Sequence, residues 1–169
     1  ALTVFPLLSN EGSSGGFTLS GESRSPKGQW TCRLLVSETF FSTMGIPILQ
    51  GRALNAADVH AVVVNEAFVQ KFSPNENPIG QTMGQIWGAE WQIVGVCRDA
   101  KYQNIKETVP PTTYFSFRGR VPRAASFAVR TKLPPLALTT SVRKAVAEVD
   151  PDVPVADVTT QAQLRGSNI

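Results

Sequence analysis

Hydrophobic and polar positions along the chain switch between two periods, and the switches predict strands alternating with short helices. Residues 30–36 (WTCRLLV) put Trp30, Cys32, Leu34 and Val36 on one side and Thr31 and Arg33 on the other, the alternation of a strand. Residues 37–45 (SETFFSTMG) change to a helical grouping. Ser37 stands where an N-cap belongs, Glu38 at the positive end of the dipole, and Phe40, Phe41 and Met44 on one face. Gly45 supplies a left-handed stop, and Pro47 forbids continuation. A helix over 38–44, anchored in a core by its aromatics, is predicted.

Upstream, residues 2–8 are apolar and β-prone but broken by Pro6, which predicts an edge strand or a segment cut from something longer. Residues 9–16 (SNEGSSGG) predict a loop, 17–19 a short strand, and 21–28 a polar stretch. Downstream, a polar connector over 53–60 leads to a buried strand at 61–64 and to Asn65, the N-cap of a helix over 66–72 with Phe68, Val69 and Phe72 inward. Ser73 and Pro74 end that helix, and residues 77–80 (NPIG) make a turn. Strands near 81–87 and 91–99 form a hairpin across Gly88, Ala89 and Glu90.

In the last third, strands at 112–117 and 126–130 pair around a loop at 118–124. A helix over 135–149 carries the stripe Leu138, Val142, Ala145, Val146 and Val149, which is expected to pack on the sheet those strands form. Residues 153–158 predict a last strand. The interleaving makes this an α+β chain, a mixed sheet with helices packed on one face.

The length of 169 residues fits one domain or two small lobes sharing a core. No apolar run approaches the ~20 residues that cross a bilayer, and no basic flank precedes the first apolar segment, so a soluble globular piece without a signal peptide is expected. The net charge of +3 is unevenly spread. Residues 53–110 carry 4 basic and 6 acidic side chains, whereas 111–169 carry 8 and 4. Arg118, Arg120 and Arg123 crowd one loop, a candidate contact surface for anionic head groups or an acidic partner, with a merely solvated loop as the equal alternative. No aromatic platform or recognition motif accompanies them, so nucleic acid is not expected as a partner.

Candidate chemistry is sparse. His60, the single histidine, has only Asp58 nearby, which is no acid–base or metal constellation. Glu66 and Asp99 suggest an acid–base pair, yet one sits in a helix's first turn and the other at a strand's end. Gly80 and Gly84 belong to no phosphate-cradling motif, and the serines of 9–14 to no nucleophile elbow. Cys32 and Cys97 lack metal spacing and are expected to be buried free thiols, with pairing in an oxidising compartment as the alternative. No metal, nucleotide or covalent cofactor, and no enzymatic activity, is expected.

Taken together in order, several segments resemble MacB/FtsX-type ABC-transporter permeases, and more closely the duplicated orphan permeases of acidobacteria. They are residues 40–52 (FFSTMGIPILQGR), 62–68 (VVVNEAF), 78–80 (PIG), 91–96 (WQIVGV) with Asp99, 111–114 (PTTY), and 142–151 (VRKAVAEVDP) with Pro154 and Val155. The resemblance implies a periplasmic domain inserted between the first two transmembrane helices of a permease, with further chain before Leu2. It implies a porter-like lobe from 1–52 and 111–165, interrupted by a small α/β lobe at 53–110. Its implied partners are the permease's own transmembrane helices, a separate ATPase subunit or domain, and, as candidates, a periplasmic adaptor protein and anionic lipid. Its implied role is to transmit conformational change and contact a partner or substrate. Cys97 stands where the family usually has a small or aliphatic residue, which again favours a buried free thiol. The alternative is a stand-alone extracytoplasmic ligand-binding module.

Overall fold

The seven residues Trp30–Val36 form β4, and both of its faces are covered. Leu34 and Val36 are buried on one side, Thr31, Arg33 and Leu35 on the other, while Trp30 is exposed. The reason is the sheet to which β4 belongs. In the computed structural model, which describes residues 1–6, 8–9, 11–22, 29–102 and 108–167, this sheet has ten strands. Before β4 come β1 (Leu2–Thr3), β2 (Ser13–Gly16) and β3 (Thr18–Leu19). After it come α1 (Phe40–Met44), β5 (Ile48–Gly51), β6 (Ala61–Asn65), α2 (Glu66–Phe72), β7 (Thr82–Ile86), β8 (Ala89–Cys97), β9 (Thr112–Ser116), β10 (Ser126–Phe127), α3 (Thr139–Val149) and α4 (Gln161–Ser167).

β4 pairs in parallel with β9, β9 antiparallel with β6, β6 parallel with β8, β8 antiparallel with β7, and β7 antiparallel with β3. β2 pairs with β4 at the opposite end of that series. Phe17 is all that separates β2 from β3, so residues 13–19 bond to both ends and the sheet rolls up on itself. Its interior is one cluster containing Phe17, Leu35, Val62, Phe68, Met83, Trp91, Ile93 and Phe115. The division expected at 52/53 and 110/111 lies within this sheet, since β5 pairs with β8 and β6 with β9.

α1 covers the outer face. Phe40 and Phe41 are buried against Tyr114, with ring centroids 5.7 and 5.2 Å away, and Gly45 ends the helix at φ 69° as expected. Met44 is half-buried. Ser37 does not cap this helix, which begins later with Thr39 as N-cap. The Ser37 hydroxyl instead accepts from Leu2 N–H at 2.9 Å, tying β1 in place. α2 follows its prediction closely. Asn65 Oδ1 accepts from Phe68 N–H, and Phe68 is buried, with Val69 and Phe72 packed beside it.

Several expectations are overturned. The strands at 112–117 and 126–130 do not pair with each other, because β9 is taken by β4 and β6 while β10 pairs with β1. The α3 stripe does not pack on a sheet. No residue of α3 is buried, Leu138, Val142 and Val146 are only half-covered, and Val149 is 88% exposed. Amphipathic spacing states which face seeks cover, without guaranteeing a surface opposite it. Residues 153–158 form no strand. The loop expected over 9–16 ends in β2, and β5 and α4 are elements that no sequence signal indicated. The β7–β8 turn falls at Trp87 and Gly88, with φ 52° and 76°, the mirror-image two-residue turn that suits strand twist. The polar stretch 21–28 lies outside the described residues from 23 onward.

Phe17→Ala is expected to cost about 3–5 kcal/mol, because its ring has no exposed surface and no side chain can replace it at the closure. Val149→Ala should cost less than about 0.5 kcal/mol. Urea unfolding of the two variants checks the contrast.

Candidate functional site

The loop after β9 opens with a single 3-10 turn, Phe117–Gly119, capped by the Ser116 hydroxyl. It divides the three arginines among different tasks. Arg118 donates to Glu38 Oε1 at 3.0 Å, so the residue expected at the dipole of α1 instead tethers the loop. That hydrogen bond, after one to its own backbone, holds the Glu38 carboxyl below its ordinary value. Arg120 turns back over Trp87, its guanidinium carbon 4.8 Å from the ring centre. Arg123 is exposed.

Trp87 is where this loop meets the rolled sheet. Its ring lies 5.1 Å from Phe115 and 5.9 Å from Trp91, and it is half-buried. A second guanidinium, that of Arg33, stands 5.6 Å from the Trp87 ring centre. Arg33 is one of the inward-facing residues of β4 and is 9% exposed. One of its terminal nitrogens donates to Gly16 O, and its Nε is buried without a partner. Burial pushes its pKa below the ordinary arginine value. Gly15 makes the room, for a Cβ there would lie 2.6 Å from the guanidinium carbon. Sequence alternation did place Arg33 opposite Leu34 and Val36, but offered no sign that the opposite face is enclosed. The paired glycines at 15 and 16 were the available signal.

The residues that suggested catalysis are used structurally. Asp99 Oδ1 accepts from Ala67 N–H at 3.0 Å, and Glu66 Oε2 accepts from Asp99 N–H at 3.0 Å, so the two carboxylates lock α2 to the end of β8. His60 packs edge-on to Trp91, ring centres 5.1 Å apart. Asp58 belongs to Arg52, whose guanidinium donates to both carboxylate oxygens at 2.6 and 2.9 Å. Cys97 is buried and Cys32 half-buried, both as free thiols. Burial, then the charge of Asp99, pushes the Cys97 thiol up to about 12. Among the described residues no three His, Cys, Asp or Glu side chains gather at metal-binding distance. No described helix is long and apolar enough to cross a membrane.

Residues 3–163 match the profile of the MacB-like periplasmic core domain family. Among solved structures, the periplasmic region of MacB from Actinobacillus actinomycetemcomitans is similar at TM-score 0.59 and 18% identity, over 88% of this chain and 66% of that one. The chain thus spans just under two thirds of that region. A domain of a putative permease protein from Porphyromonas gingivalis gives TM-score 0.58 and 14% identity, over 97% and 80%. The extracellular domain of the noncanonic ABC-type transporter YknZ from Gram-positive bacteria gives 0.55 and 9%, over 89% and 75%. No curated protein matches the chain.

Two measurements test the electrostatics. The Arg52 hydrogen bonds hold the Asp58 carboxyl below its ordinary 3.8, so its contribution to stability is complete above that value and is lost as pH falls through the lower folded value. Acid unfolding of Asp58→Asn should accordingly show a shallower loss of stability below pH 3.8 than the parent chain. In a Cys32→Ser background, Cys97 should resist an aromatic disulfide reagent at neutral pH and react at once in urea, since a thiol near 12 offers almost no thiolate.

Proposed function

Because the chain belongs to the family of MacB-like periplasmic core domains, and so to the extracytoplasmic side of ABC-transporter permeases, we propose that it relays motion between a permease and a periplasmic partner. In this reading the rolled sheet is the rigid body. The permease's own transmembrane helices move it, an ATPase subunit or domain supplies the energy, and the last third of the chain meets the partner. The domain itself is non-enzymatic, a reading supported by the capping roles of Glu66 and Asp99 and the packing of His60.

One observation carries the proposal. From residue 117 to 166 no described side chain is buried, although this stretch contains Val121, Phe127, Val129, Leu133, Leu136, Val149, Val153 and Val158 as exposed large apolar residues. A stretch of the chain that leaves so many large apolar side chains uncovered is what a contact surface offers a partner. The same stretch contains all 8 basic side chains of residues 111–169 against 4 acidic ones, so the partner it suits is an acidic one, an adaptor protein being the expected class.

Export in cells carrying the intact permease tests this. Val149→Asp and the pair Arg118→Gln with Arg123→Gln, each leaving the rolled sheet untouched, should lower export severalfold at unchanged protein level. Export equal to that of the parent in both variants would refute the contact role.

A further inference from the structure

β10 ends the sheet, since it pairs with β1 and with no other strand among the described residues. Ala1 and Ala128 exchange both of their backbone hydrogen bonds, at 2.7 and 2.8 Å. Successive residues of an antiparallel strand aim their backbone groups at opposite edges, so Phe127 and Val129 aim theirs away from β1. Their side chains share one face by the same alternation, and both are exposed, Phe127 at 75% and Val129 at 60%. A sheet edge carrying bulky apolar side chains is what proteins ordinarily cover or blunt.

The charge around this edge selects its occupant. Between Glu107 and Glu148 the sequence holds seven basic residues and no acidic one. Arg118 is taken by Glu38, and Arg130 lies against α1, donating to Thr43 O at 2.5 Å. Arg123 and Lys132 stand exposed, one on either side of β10 in the chain. A second copy of this chain would bring like charges together whichever way the two edges ran. A lipid surface would meet the charge but leave the N–H and C=O groups of the edge unpaired. An extended acidic peptide answers both demands, because its backbone completes the ladder and its carboxylates meet Arg123 and Lys132.

We infer that β10 is a docking edge for an extended acidic segment of a partner protein. The segment adds to the sheet as a further strand, with alternate apolar side chains beside Phe127 and Val129. Backbone pairing gives such a contact its affinity, and the flanking charge gives it the choice of partner. The inference deepens the contact role proposed above and rests on it for the acidic class of the partner.

Fluorescence anisotropy on the purified chain tests it with a labelled octapeptide of alternating glutamate and valine. Saturable binding is expected, weakening as salt rises. Val129→Pro deletes an outward N–H without touching the bonds to β1, so the urea midpoint should hold while affinity falls at least tenfold. Should that variant fail to fold, the same peptide N-methylated along its backbone carries the test, with the same loss expected against the parent chain. Arg123→Gln with Lys132→Gln should weaken binding about fivefold and flatten its salt dependence. Affinity unchanged in Val129→Pro or for the methylated peptide overturns strand addition, and equal binding of a lysine–valine peptide overturns the acidic choice. A dimer of the parent abolished by Val129→Pro assigns the edge to a second copy. Binding of anionic vesicles without binding of the peptide assigns the surface to lipid, and either result overturns the proposal, as does absence of saturation up to about 1 mM. Peptide binding can fail while export stays sensitive to Val149→Asp, and the reverse, so the two readings are tested apart.

Discussion

Phe17 lies between two strands that bond to opposite ends of one sheet, and the architecture depends on what happens at that residue. Its ring is fully buried, 5.3 Å from Phe68 and 5.0 Å from Phe72, so the bend in the backbone and the plug of the interior are the same event. Closure pairs what would otherwise be two open edges, at β4 and β7. It also traps polar side chains inside. Thr31 and Thr113 are served by neighbouring carbonyls, the first by Pro111 at 3.0 Å and the second by Cys32 at 3.0 Å. Arg33 is too large and too charged for that remedy, and it sits where the sheet meets the loop carrying Arg120, against Trp87.

What could be read in the sequence was what neighbours in the chain decide. α1 was legible from its apolar face and glycine stop, its start being misplaced at Ser37, and α2 from cap, apolar face and stop together; Asn65 is both the N-cap of α2 and, through the same Oδ1, the acceptor for Thr112 N–H at 2.8 Å. Only the first of those duties has a local signature. The closure was hidden because its glycine-rich strand, Ser13–Gly16, has little intrinsic preference for a strand. The pairing of β4 with β9 was hidden because its partners lie far apart in the chain. The same limit applied to the arginines. Their crowding marked a surface loop, while Glu38 and Trp87, which set two of their positions, come from other elements.

Residues 40–52, one of the segments that resemble the permease family, turn out to be architectural. Gly51 sits at φ 65°, where a Cβ would lie 2.3 Å from Val94 O, and Gly95 faces Arg52 O at a similar closeness. Two strands pressed together so tightly admit only glycine at both positions. Arg52 then clamps the following loop through Asp58, and the Asp58 carbonyl accepts from the Ser116 hydroxyl at 2.6 Å. A motif of this kind reports the family's scaffold.

The parallel pairing of β4 with β9 has a consequence for how the chain acquires its shape. Trp30–Val36 leaves the ribosome long before Thr112–Ser116, yet neither the sheet nor its interior is complete until the later strand is inserted between β4 and β6. Contacts of such sequence separation close slowly, because the entropy of the intervening loop is surrendered before any burial compensates it. During that interval β4 offers unsatisfied backbone groups and apolar side chains on both faces, a template for association with other unfolded chains. The order of strands in the sheet thus sets a kinetic hazard that no single contact in the finished molecule reveals.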